Sequence, residues 1–218
     1  MDRMAVESVQ LYCATSNPGK AREFDDAARQ LGFPHIRIEQ LCGTHDILPP
    51  EETGDTFLDN AILKAIYYSK GCDGIVFADD SGLRVAALDG APGVFSARFG
   101  GAGIDDAARV NLLLKRMEGK DDRSAEFVCA IAVAARGKLL SSFEGYVAGK
   151  VLHEPRGAGG FGYDPVFLYE PAGMTFSEME ASKKLRISHR GMALLQMFNF
   201  VGTPKTSATD IRLSDPGP

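Results

Sequence analysis

The chain has 218 residues, 44% hydrophobic and 24% charged, which fits a folded globular protein and excludes a fibrous or disordered one. Its net charge of −5 argues against broad affinity for nucleic-acid polymers, whose binding surfaces are basic, but allows a small anionic ligand held by local Lys and Arg. No apolar run reaches membrane-span length, the opening residues lack the apolar core of a secretory signal, and Cys13, Cys42, Cys72 and Cys129 form no CxxC pair or Cys/His cluster. The expectation is therefore a cytoplasmic protein without a membrane partner, disulfide framework or zinc site.

Val9 to Ala14 reads as a first strand, and from Lys20 the apolar positions Ala21, Phe24, Ala28 and Leu31 follow helical spacing up to Gly32. Between them lies TSNPGK, Thr15 to Lys20. A strand, a tight turn and a helix start in this order direct backbone N–H groups and the positive end of the helix dipole at one point, which suits phosphate; a plain turn is the other reading. A second strand is expected over His35 to Leu41, then a loop through Pro49 and Pro50.

In EETGDTFLDNAILKA, Thr56 and Asp59 approximate a capping box, and Phe57, Leu58, Ala61, Ile62, Ala65 and Ile66 mark one face of a helix ending near Gly71. Asn60 and Lys64 are one turn apart and can reach the same ligand. Glu51 and Glu52 either compensate the helix dipole or supply a metal ligand. GIVFADDSGL, Gly74 to Leu83, reads as a buried apolar strand whose charges, Asp79 and Asp80, are expected at its end, where the sheet opens. Such a pair suits a divalent metal or a simple turn.

Leu83 to Leu88 is expected to continue as an alternating strand, followed by a glycine-rich loop carrying Arg98. Asp105 to Glu118 is an amphipathic helix assigned to packing alone. Ser124 to Arg136 and Lys138 to Val151 form a long antiparallel hairpin, which makes the sheet mixed. RGAGGFGYDP packs four glycines between Gly157 and Gly162, a pattern that favours close approach to a ligand, with Phe161 and Tyr163 offering rings to stack on a base. Val166 to Tyr169 is a short strand, Lys183 and Lys184 lie on a helical turn, and Ser188 caps a last helix with His189 and Arg190 in its first turn. Positive charge there opposes the helix dipole and suits an anionic or carbonyl-bearing ligand, or simply a solvated helix end. Residues 203–218 read as a loose tail after one domain over 1–202.

Taken together, TSNPGK, EETGDTFLDNAILKA, ADDSGL, APGVFSAR, GGFGYDP and ISHRG resemble, in this order, the inosine triphosphate pyrophosphatase (Ham1-like) family of non-canonical purine NTP pyrophosphatases, from about Val9 to Val201. Only the segment after Gly202 departs from the family pattern. The resemblance implies an α/β fold on a long mixed sheet flanked by helices, with two lobes and nucleotide in the cleft between them, and usually a homodimer. It also implies Mg2+-dependent hydrolysis of ITP, dITP or XTP to the monophosphate and pyrophosphate. By motif, Thr15, Ser16, Asn17, Pro18, Gly19 and Lys20 would hold phosphates, and Glu52 and Asp80 the metal. Asp80, Asp79 and Lys64 would serve catalysis, the base being either aspartate. Ser81, Phe161, Gly162, Tyr163, Asp164, Lys184, His189 and Arg190 would bind substrate. Competing readings are a pyrophosphatase for other modified nucleotides, pyrimidines included, and a nucleotide-binding regulatory module without turnover.

Overall fold

The computed structural model describes residues 8–15, 18–42, 49–101 and 103–202. These form strands β1 (Val9–Cys13), β2 (Ile36–Gln40), β3 (Ile75–Val85), β4 (Ser124–Ala135), β5 (Lys138–Val151), β6 (Phe167–Tyr169) and β7 (Met174–Thr175). The helices are α1 (Pro18–Gln30), α2 (Phe57–Ser69), α3 (Asp106–Arg116), α4 (Ala181–Ile187) and α5 (His189–Val201). The strands make one mixed sheet in the order β2-β1-β3-β4-β5-β6-β7. β1 is parallel to both neighbours, while β3 to β7 are joined by antiparallel pairing, as the long hairpin required.

β4 explains how the layers form. Its residues Phe127 to Ala134 are all buried, so both faces of the strand are covered, and side-chain alternation sorts them. Cys129, Ile131 and Val133 join Phe77, Phe24 of α1 and Leu194 and Phe198 of α5 on one face. Val128, Ala130, Ala132 and Ala134 face α2 through Phe57, Ala61 and Ala65 on the other. A further cluster at the far end of the sheet gathers Leu83, Leu113, Phe127, Phe167 and Phe176. Thr56 caps α2 by accepting from the Asp59 N–H, and Ser188 caps α5 by accepting from the Gly191 N–H at 3.1 Å.

Three expectations change. Asp79 and Asp80 do not end a strand: β3 runs through them to Val85, paired with Ile131 and Ala130 of β4. Charge is tolerated there because β1 pairs with β3 only as far as Phe77, leaving the β1-side edge of β3 free of strand partners at the aspartates. The alternating strand expected over Leu83 to Leu88 stops at Val85, and Ala86–Leu88 turns as a short 3-10 helix ending at Asp89 in the left-handed conformation (φ 52°). The glycine-rich loop contains a 3-10 turn over Gly93–Arg98. Its Ser96 hydroxyl accepts from the Leu83 N–H at 2.9 Å, and a Cβ on Gly82 would come within 2.2 Å of that oxygen, so Gly82 permits the loop to dock on the free edge of β3. The tail after Gly202 lies outside the described residues.

Candidate active site

A cleft of about 370 Å³ opens at this free edge. Because successive strand residues point to opposite faces, the adjacent aspartates part company. Asp79 points to the α1 and α5 face, where it meets Lys20 at 2.6 Å and Arg190 at 4.0 Å. Asp80 points to the α2 face, where it accepts from Lys64 at 2.9 Å and Asn60 at 3.3 Å. Their mutual repulsion is thereby weakened without a shared ion.

The α2 side forms a bridge of charges. Lys64 Nζ donates to Asp80 Oδ1 and to Glu52 Oε1, each at 2.9 Å, and the second Glu52 oxygen accepts from Arg98 at 2.9 Å. The one-turn spacing of Asn60 and Lys64 brings both to Asp80, as their shared helix face implied. Asn60 is fully buried and also accepts from the Gly54 N–H at 2.8 Å, which fixes the strap before α2.

The two aspartates differ in proton affinity. Burial pushes Asp79 up, but Lys20, Arg190 and Lys64 outweigh it and hold the carboxyl at about 2. Burial pushes Asp80 up as well, and there Lys64 does not fully counter it, so Asp80 stays above the ordinary aspartate value. Burial raises Glu52 and Lys64 with Arg98 outweigh it, leaving it below the usual carboxylate range. Of the three, Asp80 alone has its proton affinity raised above its ordinary value.

Opposite stands an aromatic and basic wall. Phe161 is 53% exposed, its ring 5.0 Å from the Lys184 ammonium and 5.1 Å from the Arg190 guanidinium. Arg190 also donates to the Ser81 hydroxyl at 3.3 Å. The His189 ring lies nearly parallel to Phe127 at 4.6 Å and is buried, with Nδ1 unpartnered among the described residues. Burial, then Arg190 and Lys184, drive its pKa well below the ordinary histidine value, so the imidazole is neutral. The first turn of α5 thus presents Arg190 and a neutral ring instead of two positive charges.

Several site expectations need correction. Tyr163 is not a stacking ring: it is buried in the far-end cluster and its hydroxyl donates to the Ser96 carbonyl at 2.9 Å. Asp164 is buried and spends its carboxylate inside the protein, pairing with Lys184 and accepting from the Phe161 N–H at 2.9 Å. The glycines of the Phe161 loop serve this wrapping more than a ligand: a Cβ on Gly160 (φ +74°) would meet Asp164 Oδ2 at 2.1 Å, and one on Gly157 the Ser177 backbone at 2.7 Å. α3 is not packing alone, since Asp106 and Arg109 line the cleft. The sequence signal for these two was their polarity on the helix's outward side, which looks the same as a solvated face. Arg98, which the sequence places only in the glycine-rich loop, pairs with Glu52.

In TSNPGK, Ser16 and Asn17 lie outside the described residues; Pro18 and Gly19 open α1, the Thr15 carbonyl accepts from Gln40 at 2.9 Å, and Lys20 reaches the cleft. Among the described residues no group of three or more His, Cys, Asp or Glu side chains forms a metal-binding cluster.

Fold and site define the class: an α/β protein whose sheet edge presents paired acids and cations beneath an exposed aromatic ring. The chain belongs to the Ham1 family, whose model matches residues 11–200. It is 44% identical over 190 residues to a dITP/XTP pyrophosphatase of Bacillus licheniformis, covering 86% of this chain and 95% of that one. It is 47% identical over 197 residues to a protein of the same name from Acidobacterium capsulatum, again over 86% and 95%. Among solved structures, a HAM1 protein from Coxiella burnetii matches with TM-score 0.79 at 37% identity over 88% of this chain and 98% of its own. The Staphylococcus aureus Ham1 protein matches with TM-score 0.79 at 35% identity, over 88% and 97%.

Proposed function

We propose that this protein hydrolyses non-canonical purine nucleoside triphosphates (ITP, dITP, XTP) to the monophosphate and pyrophosphate, and so clears them from the nucleotide pool. The observation that carries the reading is the Glu52–Lys64–Asp80 bridge at the sheet edge, facing Phe161 and Arg190 across one cleft. Similarity to the named pyrophosphatases supports the substrate class.

Glu52 and Asp80 fit a divalent cation such as Mg2+: both already converge on one positive centre, the Lys64 ammonium, and two carboxylates with phosphate oxygens and water meet the needs of that ion. Bound there, it would neutralise triphosphate charge and lower the pKa of a water. Lys20, Lys64 and Arg98 bind phosphate oxygens and stabilise charge that develops on the leaving pyrophosphate. Asp80, whose proton affinity is raised by burial while those of Asp79 and Glu52 are lowered, takes the proton of the water that attacks the α-phosphorus. Asp79, held as an anion, fixes Lys20 and Arg190.

The base stacks on Phe161. Arg190 and Lys184 donate to an oxygen at purine C6, and a site built of donors rejects the amino group of adenine, a discrimination that reaches about 10⁴-fold in sites of this kind. The same reading takes residues 1–202 as one two-lobed domain followed by a tail, and the protein as a cytoplasmic homodimer. Among the described residues no helix is long and apolar enough to cross a membrane.

The test is incubation with Mg2+ and ITP, XTP, GTP, ATP or dUTP, followed by product identification. Pyrophosphate from ITP and XTP, with little from ATP, is expected. Release of orthophosphate, preference for dUTP, or absence of turnover would overturn the proposal.

A further inference from the structure

The Phe161 loop is tied down on two sides. At its base, Gly159 N–H donates to the Ser177 carbonyl at 3.1 Å and the Ser177 hydroxyl donates to the Gly159 carbonyl at 2.5 Å. At its tip, Phe161 is fastened to Asp164 on its own side, and the next residue crosses the cleft: Gly162 N–H donates to Asp106 Oδ2 at 2.7 Å. The other oxygen of Asp106 pairs with Arg109 one turn on, and Arg109 Nη2 donates to the Ile104 carbonyl at 3.1 Å. Asp106 is thus held in place from behind and offers one oxygen forward to the loop. A carboxylate bonded to a backbone N–H is a stronger link than a neutral hydrogen bond, because the acceptor is charged.

This link sits beside Phe161, an exposed ring in the cleft wall. Gly162 has φ +59°, and a Cβ built on it would meet no atom within 4 Å, so no side-chain packing at that point restrains the tip beyond the Phe161–Asp164 bonds and the Asp106 link. The Asp164 N–H also donates to the Phe161 carbonyl at 3.2 Å, so the turn has its own closure, and Asp106 is the tie on the Gly162 amide itself, beside the ring.

We infer that Asp106 is a positioning residue: its carboxylate latches the Gly162 amide and so holds Phe161 where a purine can stack. The inference rests on the proposed assignment of Phe161 to the base. It requires that loss of the latch weaken recognition of the base and leave the phosphate chemistry alone. A helix-terminus role for Asp106, at the first turn of α3, would alter stability and nothing else.

The experiment uses the full chain and the variants Asp106→Ala, Asp106→Asn and Asp106→Glu, with two readouts: solvent exchange of the Gly162 amide by NMR, and steady-state kinetics with ITP. Asp106→Ala is expected to expose the amide and raise KM for ITP about tenfold, the effect of losing one charged hydrogen bond, with kcat within about twofold. Competitive inhibition by inorganic tripolyphosphate, which has no base, should stay unchanged. In the two conservative variants, KM should follow amide protection: wherever the amide remains protected, KM stays near that of the parent. A variant that loses protection yet keeps its KM, one that keeps protection yet loses affinity, or a parallel loss of tripolyphosphate binding would each overturn the inference. If the parent chain does not turn over ITP, the proposed function fails by itself. The latch is then judged on the amide alone, with equal exchange in parent and Asp106→Ala overturning it.

Discussion

Asp79 and Asp80 are neighbours in sequence and strangers in space. One strand residue apart, they look into opposite layers: Asp79 into the α1 and α5 layer, Asp80 into the α2 layer. Around Asp79 the cations are drawn close, and a single carboxylate, 5% exposed, serves both Lys20 and Arg190. Around Asp80 the arrangement is looser in charge and richer in acid, with Glu52 and Asp80 sharing Lys64 and Arg98 standing 44% exposed behind Glu52. One side is a closed brace and the other an open relay. Two like charges in tandem therefore need not signal one shared task; on a strand they mark two tasks divided between the faces.

The contrast breaks most sharply under Asp80→Asn. Removing the proton acceptor proposed above should lower kcat for ITP by about 10³-fold, within the range for loss of a general base, with the circular dichroism spectrum unchanged. Activity retained would move catalysis to another group. Asp79→Asn should act on the fold first. It removes the carboxylate paired with Lys20 and the nearest one to Arg190, which keeps Glu23 and Asp164 farther off, and urea unfolding should report a loss of about 3 kcal/mol, the low end for breaking a buried pair because Lys20 is partly solvated. A loss well below 1 kcal/mol would show that the brace is not structural.

The smallest effect is read by pH. His189, in the Asp79 layer, has its folded pKa pushed below the ordinary histidine value, so below about 6.5 the unfolded chain takes up a proton that the folded chain refuses. Its contribution to stability is complete above that pH and is lost as pH falls towards the folded value, at no more than about 1.4 kcal/mol per pH unit. Subtracting the unfolding free energies of His189→Phe from those of the parent across pH 7 to 5 should show this slope. A flat difference would mean that the buried ring is protonated.

Much of the fold was legible because burial leaves a period in the sequence. The Val9 strand, the Phe57 helix with its Thr56 cap and the 124–151 hairpin stand where alternation and spacing placed them. The aspartate pair was misplaced because a sequence treats charge as the end of a strand, whereas the release here comes from a neighbour: β1 leaves β3 at Phe77, and no residue of β3 records that. The motifs at Lys64, Asp80 and Arg190 led to residues that the structure gathers in one cleft. Tyr163 and Asp164 line that cleft too, but the stacking role read for Tyr163 was misleading, since a buried hydroxyl on a carbonyl and an exposed ring for stacking share the same letters. Asp106 and Arg109 were hidden by ordinary amphipathic patterning, and β7, two residues long, has no period to read.

The alanines of β4 have a consequence beyond packing. Ala130, Ala132 and Ala134, with Ala78 on β3, let α2 rest directly on the sheet, and Asn60 and Lys64 project from that helix. Each added methyl in that row would shim the helix outward and take the ammonium with it, as over-filling a close-packed interior does elsewhere. The reach of Lys64 into the cleft is therefore gauged by small side chains that do not line it.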